Sequence, residues 1–137
     1  MDPVLRTVTD LRRLRSEVDN PFDREKVVEY FCKLADEMGF KAVKNLRWSG
    51  VRLDCGWKDG QDLFLAMNVE YGSEREILGA MAEIVVASPE VGVLVTASNP
   101  LKPITWILDA AKRLGPSFDL AILDVGRGRF EILRGEK

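Results

Sequence analysis

Two spacings of apolar residues divide the chain into predicted helices and strands. Residues 3–18 carry apolar side chains every three or four positions, which is typical of an amphipathic helix that begins at Pro3. Residues 21–38 repeat this pattern, with Asn20 placed to cap the helix and Gly39 placed to end it. The sequence therefore predicts two helices before the first strand.

Three short segments with alternating or continuous apolar residues follow these helices. Ser-Gly and Asp-Gly pairs separate the segments, and such pairs are typical of hairpin turns. We therefore expect a meander of three antiparallel strands. The predicted strands are residues 41–48, 51–57 and 62–71.

The second half of the chain alternates between helix and strand patterns. Residues 73–87 predict a helix, since Ser73 and Glu76 have the spacing of a capping box. The continuous apolar run 91–97 predicts a buried strand that lies parallel to a neighbour. A helix at 103–115 and a pair of strands, at 118–125 and 129–134, complete the predicted order.

The composition is that of one soluble globular domain. The chain has 137 residues, of which 46% are hydrophobic and 31% are charged, and its net charge is −2. No apolar run approaches the roughly 20 residues that cross a bilayer, and the N-terminus lacks the apolar core of a signal peptide. We expect a cytoplasmic protein with no membrane partner, folded as a single mixed α/β domain over residues 1–137.

The chain contains no histidine and only two cysteines, Cys32 and Cys55. This composition excludes catalysis by Ser-His or Cys-His pairs and a structural zinc site. The cysteines are too few and too far apart in sequence for a disulfide framework or a CxxC redox site, so both are predicted to be small buried hydrophobes. A metal would need oxygen ligands, which favours magnesium, manganese or calcium.

The candidate chemistry lies at the ends of the second and third predicted strands. The third strand ends by presenting Asn68 and Glu70, which the two-residue period of a strand places on one face. Asp54 lies on the preceding strand, 14 positions before Asn68. A carboxylate at the end of a buried strand costs free energy unless it is solvated, paired or bound to a cation.

With these residues in place, residues 21–125 resemble the core of the restriction-endonuclease-like superfamily, the PD-(D/E)XK nucleases. That family has a helix, a three-strand meander, a helix and a strand. An aspartate lies on its second strand, and an acidic residue, any residue and a lysine or second acidic residue end the third. Here Asp54 matches the aspartate, Asn68 takes the acidic position, and Glu70 takes the lysine position. A second alignment makes Glu70 the motif carboxylate and leaves Gly72 at the lysine position.

The resemblance implies a mixed central sheet flanked by helices, with residues 1–19 as an added N-terminal amphipathic helix and residues 126–137 as a C-terminal hairpin strand. It also implies a nuclease that binds DNA and hydrolyses phosphodiester bonds with Mg²⁺ or Mn²⁺. Asp54 and Glu70 would hold the metal as catalytic residues, and Asn68 would be a weak or lost ligand. Glu29 matches the helix-borne carboxylate that some members add.

Several alternatives stay open from the sequence. Asp54 and Glu70 could form a structural pair satisfied by Arg52, Lys41 or backbone donors. The departure at Asn68 and the acidic net charge favour a catalytically inactive module of the same fold, used for partner binding or assembly. The apolar stripe of the first helix could pack on the domain or pair with a second copy in a homodimer. An unrelated small α/β fold is the third alternative.

Overall fold

A computed structural model of the chain describes residues 2–135. They form a six-stranded sheet with helices on both faces. In chain order the elements are α1 (Pro3–Val8), α2 (Leu11–Glu17), α3 (Arg24–Glu37), β1 (Lys41–Trp48), β2 (Val51–Asp59), β3 (Asp62–Val69), α4 (Glu74–Ala87), β4 (Val91–Thr96), α5 (Ile104–Leu114), β5 (Asp119–Asp124) and β6 (Arg129–Leu133).

The strands lie side by side in the order in which they occur along the chain. β1, β2 and β3 form an antiparallel meander, β4 and β5 run parallel to β3, and β6 returns antiparallel to β5. The predicted meander, the buried parallel strand and the final strand pair are therefore confirmed. The prediction of a mixed α/β fold with a central sheet flanked by helices is confirmed as well.

Two apolar cores fill the space between the sheet and its helix layers. The core under α1, α2 and α3 contains Leu5, Leu14, Phe31, Leu34, Trp57 and Met67. The core under α4 and α5 contains Leu53, Ile77, Met81, Ile84, Leu94 and Ile107. Because both faces of β4 are covered, all six of its residues are buried, as its continuous apolar run predicts.

The predicted single helix over residues 3–18 is wrong, because the structure divides it into α1 and α2. The Thr9 hydroxyl donates to the Leu5 carbonyl at 2.6 Å, and the Asp10 carboxylate accepts from the Arg13 N–H at 3.1 Å to cap α2. These local side-chain hydrogen bonds compete with helix continuation. The apolar stripe survives the break, since Leu5 and Leu14 both pack into the core of the domain. It is therefore not exposed for pairing with a second copy.

The second helix begins later than the sequence predicts. Asn20 does not cap it, because its Oδ1 accepts from the Phe22 N–H within a turn. Asp23 takes the N-cap position instead, with Oδ1 3.4 Å from the Lys26 nitrogen, and α3 begins at Arg24. Gly39, with φ of 84°, follows the end of this helix as predicted.

The capping box of α4 is present as predicted. The Ser73 hydroxyl accepts from the Glu76 N–H at 3.2 Å, and the Glu76 carboxylate accepts from the Ser73 N–H at 3.1 Å. This backbone hydrogen bond is the largest cause that lowers the pKa of Glu76.

We expect Ser73→Ala to lower the free energy of unfolding by about 1 kcal/mol, the usual cost of losing a serine cap. Urea denaturation of the two proteins measures this difference. Ser117→Ala, at an exposed serine outside the helices, is the matched control and should leave the midpoint unchanged. An equal shift in both variants would contradict the role of Ser73 as a cap.

The predicted C-terminal hairpin strand, residues 126–137, extends beyond the described residues. β6 ends at Leu133, and residues 136–137 of the predicted segment 126–137 are not among the described residues. Within residues 2–135, no helix has the length and apolar character that a membrane span requires.

Candidate functional site

The candidate site lies at the edge of the sheet where the parallel strands β3, β4 and β5 end, here called the carboxyl edge. The antiparallel strand β2 begins at this edge. It therefore receives Asp54 from β2 and Asn68 and Glu70 from the end of β3. The topology thus brings the three sequence-predicted residues to one edge of the sheet, although their side chains make different contacts.

The first irregular feature of the site is a reversal of faces in β1 and β2. Leu53 packs in the core under α4 and α5, whereas Cys55 packs in the core under α1 to α3. Residues two apart on a regular strand share a face, so β2 turns over at Asp54. On the neighbouring strand Asn45 has a left-handed backbone, with φ of 50°. The reversal directs the Asp54 side chain toward β3.

Asp54 and Asn68 each cap the backbone of the other strand. The Asp54 N–H donates to Asn68 Oδ1 at 2.8 Å, and the Val69 N–H donates to Asp54 Oδ2 at 2.8 Å. Backbone pairing between β2 and β3 begins at Cys55 and Met67, so these side chains lie just beyond the paired residues. We call this place the β2–β3 fork. Side chains there replace the backbone partners that the diverging strands no longer supply.

Asn68 uses both ends of its carboxamide within the fold. While Oδ1 accepts from β2, Nδ2 donates to the Ala80 carbonyl of α4 at 3.1 Å, and the residue is only 3% exposed. A carboxylate could make the first contact but could not donate to Ala80. The amide at position 68 therefore makes a structural contact that an ionised carboxylate could not make.

The remaining oxygen of Asp54 is paired with an arginine. Oδ1 lies 3.2 Å from Arg52 Nη2, which also donates to Asn45 Oδ1 at 2.7 Å. Asp54 is 6% exposed, so its charge depends on these partners. Arg52 and a backbone donor are two of the partners expected if Asp54 has a structural role and binds no metal. Lys41 is not among them, because it lies opposite Lys58 at the other end of the hairpin.

Glu70 leaves the sheet in a different direction from Asn68. Its Oε2 accepts from the Gly72 N–H at 3.1 Å and lies 3.4 Å from Arg24 Nη2 at the start of α3. The prediction that positions 68 and 70 share a face is wrong, because β3 ends at Val69 and the strand period stops there. Asn68 therefore reaches the α4 layer, whereas Glu70 reaches the α3 layer.

The position of Arg24 relative to Glu70 is fixed by a second contact between the same segments. The Tyr71 hydroxyl donates to the Pro21 carbonyl, just before α3. Burial raises the pKa of the Tyr71 phenol, so the group keeps its proton and remains a donor. The Phe22 ring also lies 5.6 Å from the Tyr71 ring, between centroids. These contacts hold the first turn of α3 against the end of β3.

A cleft of about 490 Å³ opens beside the fork, between α3 and strands β1 and β2. Its cationic side chains come from three different elements, and carboxylates from α3 and β2 lie among them. The lining residues are Arg24, Glu25, Val28, Glu29, Lys44, Asn45, Arg52 and Asp54. Glu29 is ion-paired with Lys44 across the cleft, so it does not lean toward the strand ends as an added metal ligand.

The donor set does not fit a catalytic magnesium or manganese ion. Within residues 2–135, no three His, Cys, Asp or Glu side chains are grouped to hold a metal. Both oxygens of Asp54 are engaged by Val69 and Arg52, and Glu70 faces Arg24. Hard divalent cations take six or more oxygen ligands, and here an arginine occupies the place beside each carboxylate. The metal assignment of Asp54 and Glu70 therefore has no support in this geometry.

Asp124 is a buried carboxylate at the carboxyl edge that the sequence reasoning missed. It is 2% exposed and accepts from the Ser98 N–H at 3.0 Å, the Arg127 N–H at 3.3 Å and the Ser98 hydroxyl. The residue closes the ends of β4 and β5 just as Asp54 closes the β2–β3 fork. The sequence pattern could have indicated Asp124, because this residue ends an apolar strand pattern, as Asn68 does.

Lys102 was also missed, and it reaches the carboxyl edge from the loop after β4. Its ammonium donates to the carbonyls of Tyr71 and Gly72, immediately after Glu70. Lysine therefore lies near the end of β3, although it comes from a distant position in the sequence. No local pattern could have placed it there, because its partners precede it by about 30 residues.

Comparisons of the chain with models of protein families, with curated proteins and with solved structures found no match. The fold and the site define the protein at the level of class. It is a mixed α/β protein with a sequentially ordered six-stranded sheet. A cleft lined by both cations and carboxylates lies at the carboxyl edge of that sheet.

Proposed function

We propose that this chain is a nucleic-acid-binding protein with a restriction-endonuclease-like core, in which the nuclease motif positions hold the fold together. The observation that carries the proposal is the use of Asp54 and Asn68 as reciprocal caps of the β2–β3 fork. In a nuclease of this class the same positions would present oxygens to a metal. Metal-assisted hydrolysis of DNA, which the resemblance implies, is the alternative that the experiments below also test.

The order of elements supports a nuclease-like core. A helix, an antiparallel meander, a helix and a parallel strand follow one another from α3 to β4, in the order of the superfamily core. The motif positions fall where that core has its active site, at the end of the meander. We therefore propose that the chain has the fold of this family without metal-dependent hydrolysis.

The cations of the cleft support contact with phosphates. The side chains of Arg24, Lys44 and Arg52 are 46%, 46% and 48% exposed, so each reaches solvent while it is ion-paired. A guanidinium has five N–H donors, which lets one arginine contact a carboxylate and a phosphate oxygen together. Asp54, in contrast, is buried and its oxygens face protein donors, so its charge opposes an incoming phosphate less. A backbone of nucleic acid is the polyanion that this arrangement fits.

Nucleic-acid binding is tested by removing the two arginines of the cleft. We expect Arg24→Gln/Arg52→Gln to raise the Kd for a fluorescein-labelled oligonucleotide about tenfold, as measured by fluorescence anisotropy. The slope of log affinity against log salt should fall by about 1.5, because two phosphate contacts are lost. Single-stranded, double-stranded and branched DNA should be compared in parallel.

The matched control is Lys112→Gln/Arg113→Gln, which removes the same charge from the exposed end of α5. This end of α5 precedes β5 and so lies at the opposite edge of the sheet from the cleft. The control should bind as the wild type does. Equal weakening in both double variants would mean that net charge, and not the cleft, sets the affinity. Absence of binding in the wild type would overturn the proposal.

Hydrolysis is tested with Mn²⁺ and the conservative variant Asp54→Asn. This variant keeps an oxygen for the Val69 N–H while it removes the negative charge. We expect calorimetry to show no Mn²⁺ binding by the wild type at the fork, and we expect no metal-dependent cleavage of any DNA substrate. Asp59→Asn, at the exposed end of β2 beside the hairpin turn, serves as the control. Cleavage by the wild type that survives in Asp59→Asn and vanishes in Asp54→Asn would establish the nuclease alternative.

A further inference from the structure

The two cysteines of the chain lie in contact with each other. Cys32 Sγ and Cys55 Sγ are 3.7 Å apart, although 23 positions separate them in the sequence. Cys32 projects from α3 and Cys55 from β2, and these elements pack face to face. The sequence spacing excluded a disulfide framework and a CxxC site, but it did not predict that the two thiols lie in contact. The separation of the two cysteines in sequence did not indicate their distance in space, because α3 packs on β2.

The two thiols differ in access and in surroundings. Cys55 is buried, as predicted, whereas Cys32 is only half-buried and faces the side of the sheet that carries Lys44. The hydrogen bond from Cys55 lowers the pKa of the Cys32 thiol; partial burial opposes this shift, and the Lys44 ammonium adds to it. A half-exposed thiol with a lowered pKa is the one that meets an external oxidant first. The buried thiol then lies within reach of it.

We propose that Cys32 and Cys55 form a reversible intramolecular disulfide when the protein meets a small-molecule disulfide such as oxidised glutathione. In the first step the Cys32 thiolate attacks one sulfur of the oxidant. A mixed disulfide forms at Cys32, and one glutathione thiolate leaves. In the second step the Cys55 sulfur attacks Cys32 Sγ, and the Cys55 proton passes to the departing glutathione thiolate. The protein disulfide forms and the second glutathione leaves. Two protein thiols are oxidised, and one glutathione disulfide is reduced to two thiols.

Bond formation requires the two sulfur atoms to move closer to each other. A disulfide has a sulfur–sulfur distance of about 2.05 Å, compared with the present 3.7 Å. The bond would draw α3 toward β2 and fix the two together. Because α3 carries Arg24 and Glu29 and β2 carries Arg52 and Asp54, the bond would join two walls of the cleft. The disulfide itself does not depend on the proposed function, whereas any effect on nucleic-acid affinity rests on it.

The experiment is titration of the full chain with oxidised glutathione, followed by mass spectrometry and non-reducing peptide mapping. In the wild type we expect the free thiols to fall from two to none, with the loss of two hydrogens, no retained glutathione and a linked peptide pair containing Cys32 and Cys55. Dithiothreitol should restore both thiols. Glutathione adducts without the linked pair, or linkage only between two chains, would overturn the proposal.

Single variants separate the two steps. Cys55→Ala should retain one glutathione on Cys32, because the attacking second thiol is gone. Cys32→Ser should retain none, because Cys55 is buried. Adduct formation on Cys55 in the Cys32→Ser protein would contradict the assigned order. Oligonucleotide affinity of the oxidised and reduced wild type is measured separately, so that failure of nucleic-acid binding leaves the disulfide result intact.

Discussion

Asn68→Asp, which introduces the acidic residue that the proposed nuclease-like motif has at this position, is expected to destabilise the protein by about 3 kcal/mol. The aspartate keeps an acceptor for the Asp54 N–H but cannot donate to the Ala80 carbonyl, which is then left without its partner. It also introduces a second buried carboxylate at the fork, close to Asp54. Charge repulsion and the loss of the donor both lower the free energy of unfolding.

The destabilisation should shrink at acidic pH. A protonated aspartic acid regains an O–H donor and loses its charge, so the folded state favours the protonated form and raises the pKa of the introduced group. When folding raises the pKa of a carboxyl group, the folded protein loses stability as the pH rises through that pKa. Urea denaturation at several pH values, for the variant and the wild type, measures this effect.

Asn99→Asp is the matched control for this variant. Asn99 is exposed, and its Oδ1 accepts from the Leu101 and Lys102 N–H groups at 2.8 and 3.0 Å. An aspartate keeps both contacts, so we expect a change within about 0.5 kcal/mol. A stable Asn68→Asp protein that gained Mn²⁺ binding would instead show that the fork is one substitution away from a metal site.

Asp124→Ala is the second variant with a large expected effect, a loss of about 2–4 kcal/mol in the free energy of unfolding. Removing this buried carboxylate leaves the Ser98 and Arg127 N–H groups and the Ser98 hydroxyl without their acceptor. Urea denaturation measures the overall loss. Hydrogen exchange should show faster exchange at the Ser98 and Arg127 amides, since these lose their partners directly.

Asp109→Ala provides the control for Asp124→Ala. Asp109 is exposed on α5, and its removal should leave both the denaturation midpoint and the exchange of Ser98 unchanged. Equal loss in the two variants would show that the effect comes from net charge and not from the contacts at the carboxyl edge. An unchanged midpoint in Asp124→Ala would contradict the closing role assigned to that residue.

The candidate site was predictable in part. Asp54, Asn68 and Glu70 could be placed at one edge of the sheet because hairpin signals and strand periods fix the meander. Arg52 and a backbone donor could be named as partners of Asp54. The partners of Glu70 and of the Asn68 Nδ2 group could not be placed, because Arg24 and Ala80 belong to helices on opposite faces of the sheet. Whether a buried carboxylate binds a metal or an arginine depends on those partners. The residue type alone therefore left both interpretations open.

By itself the sequence determined the elements whose signals act over a few residues. The capping box at Ser73, the hairpin pairs of the meander and the apolar run of β4 each specify structure through neighbours in the chain. Local signals also have limits. The break at Thr9 and Asp10 depends on side-chain hydrogen bonds that compete with helix continuation at positions whose apolar spacing favours one helix.

Only the tertiary structure decided which groups meet across those elements. It turned β2 over at Asp54, used both ends of the Asn68 amide inside the fold, and brought Cys32 to Cys55. The physical reason is the same in each case. A buried polar group or thiol takes its properties from the nearest atoms in space, and here those atoms belong to segments 12 to 23 positions away in the chain.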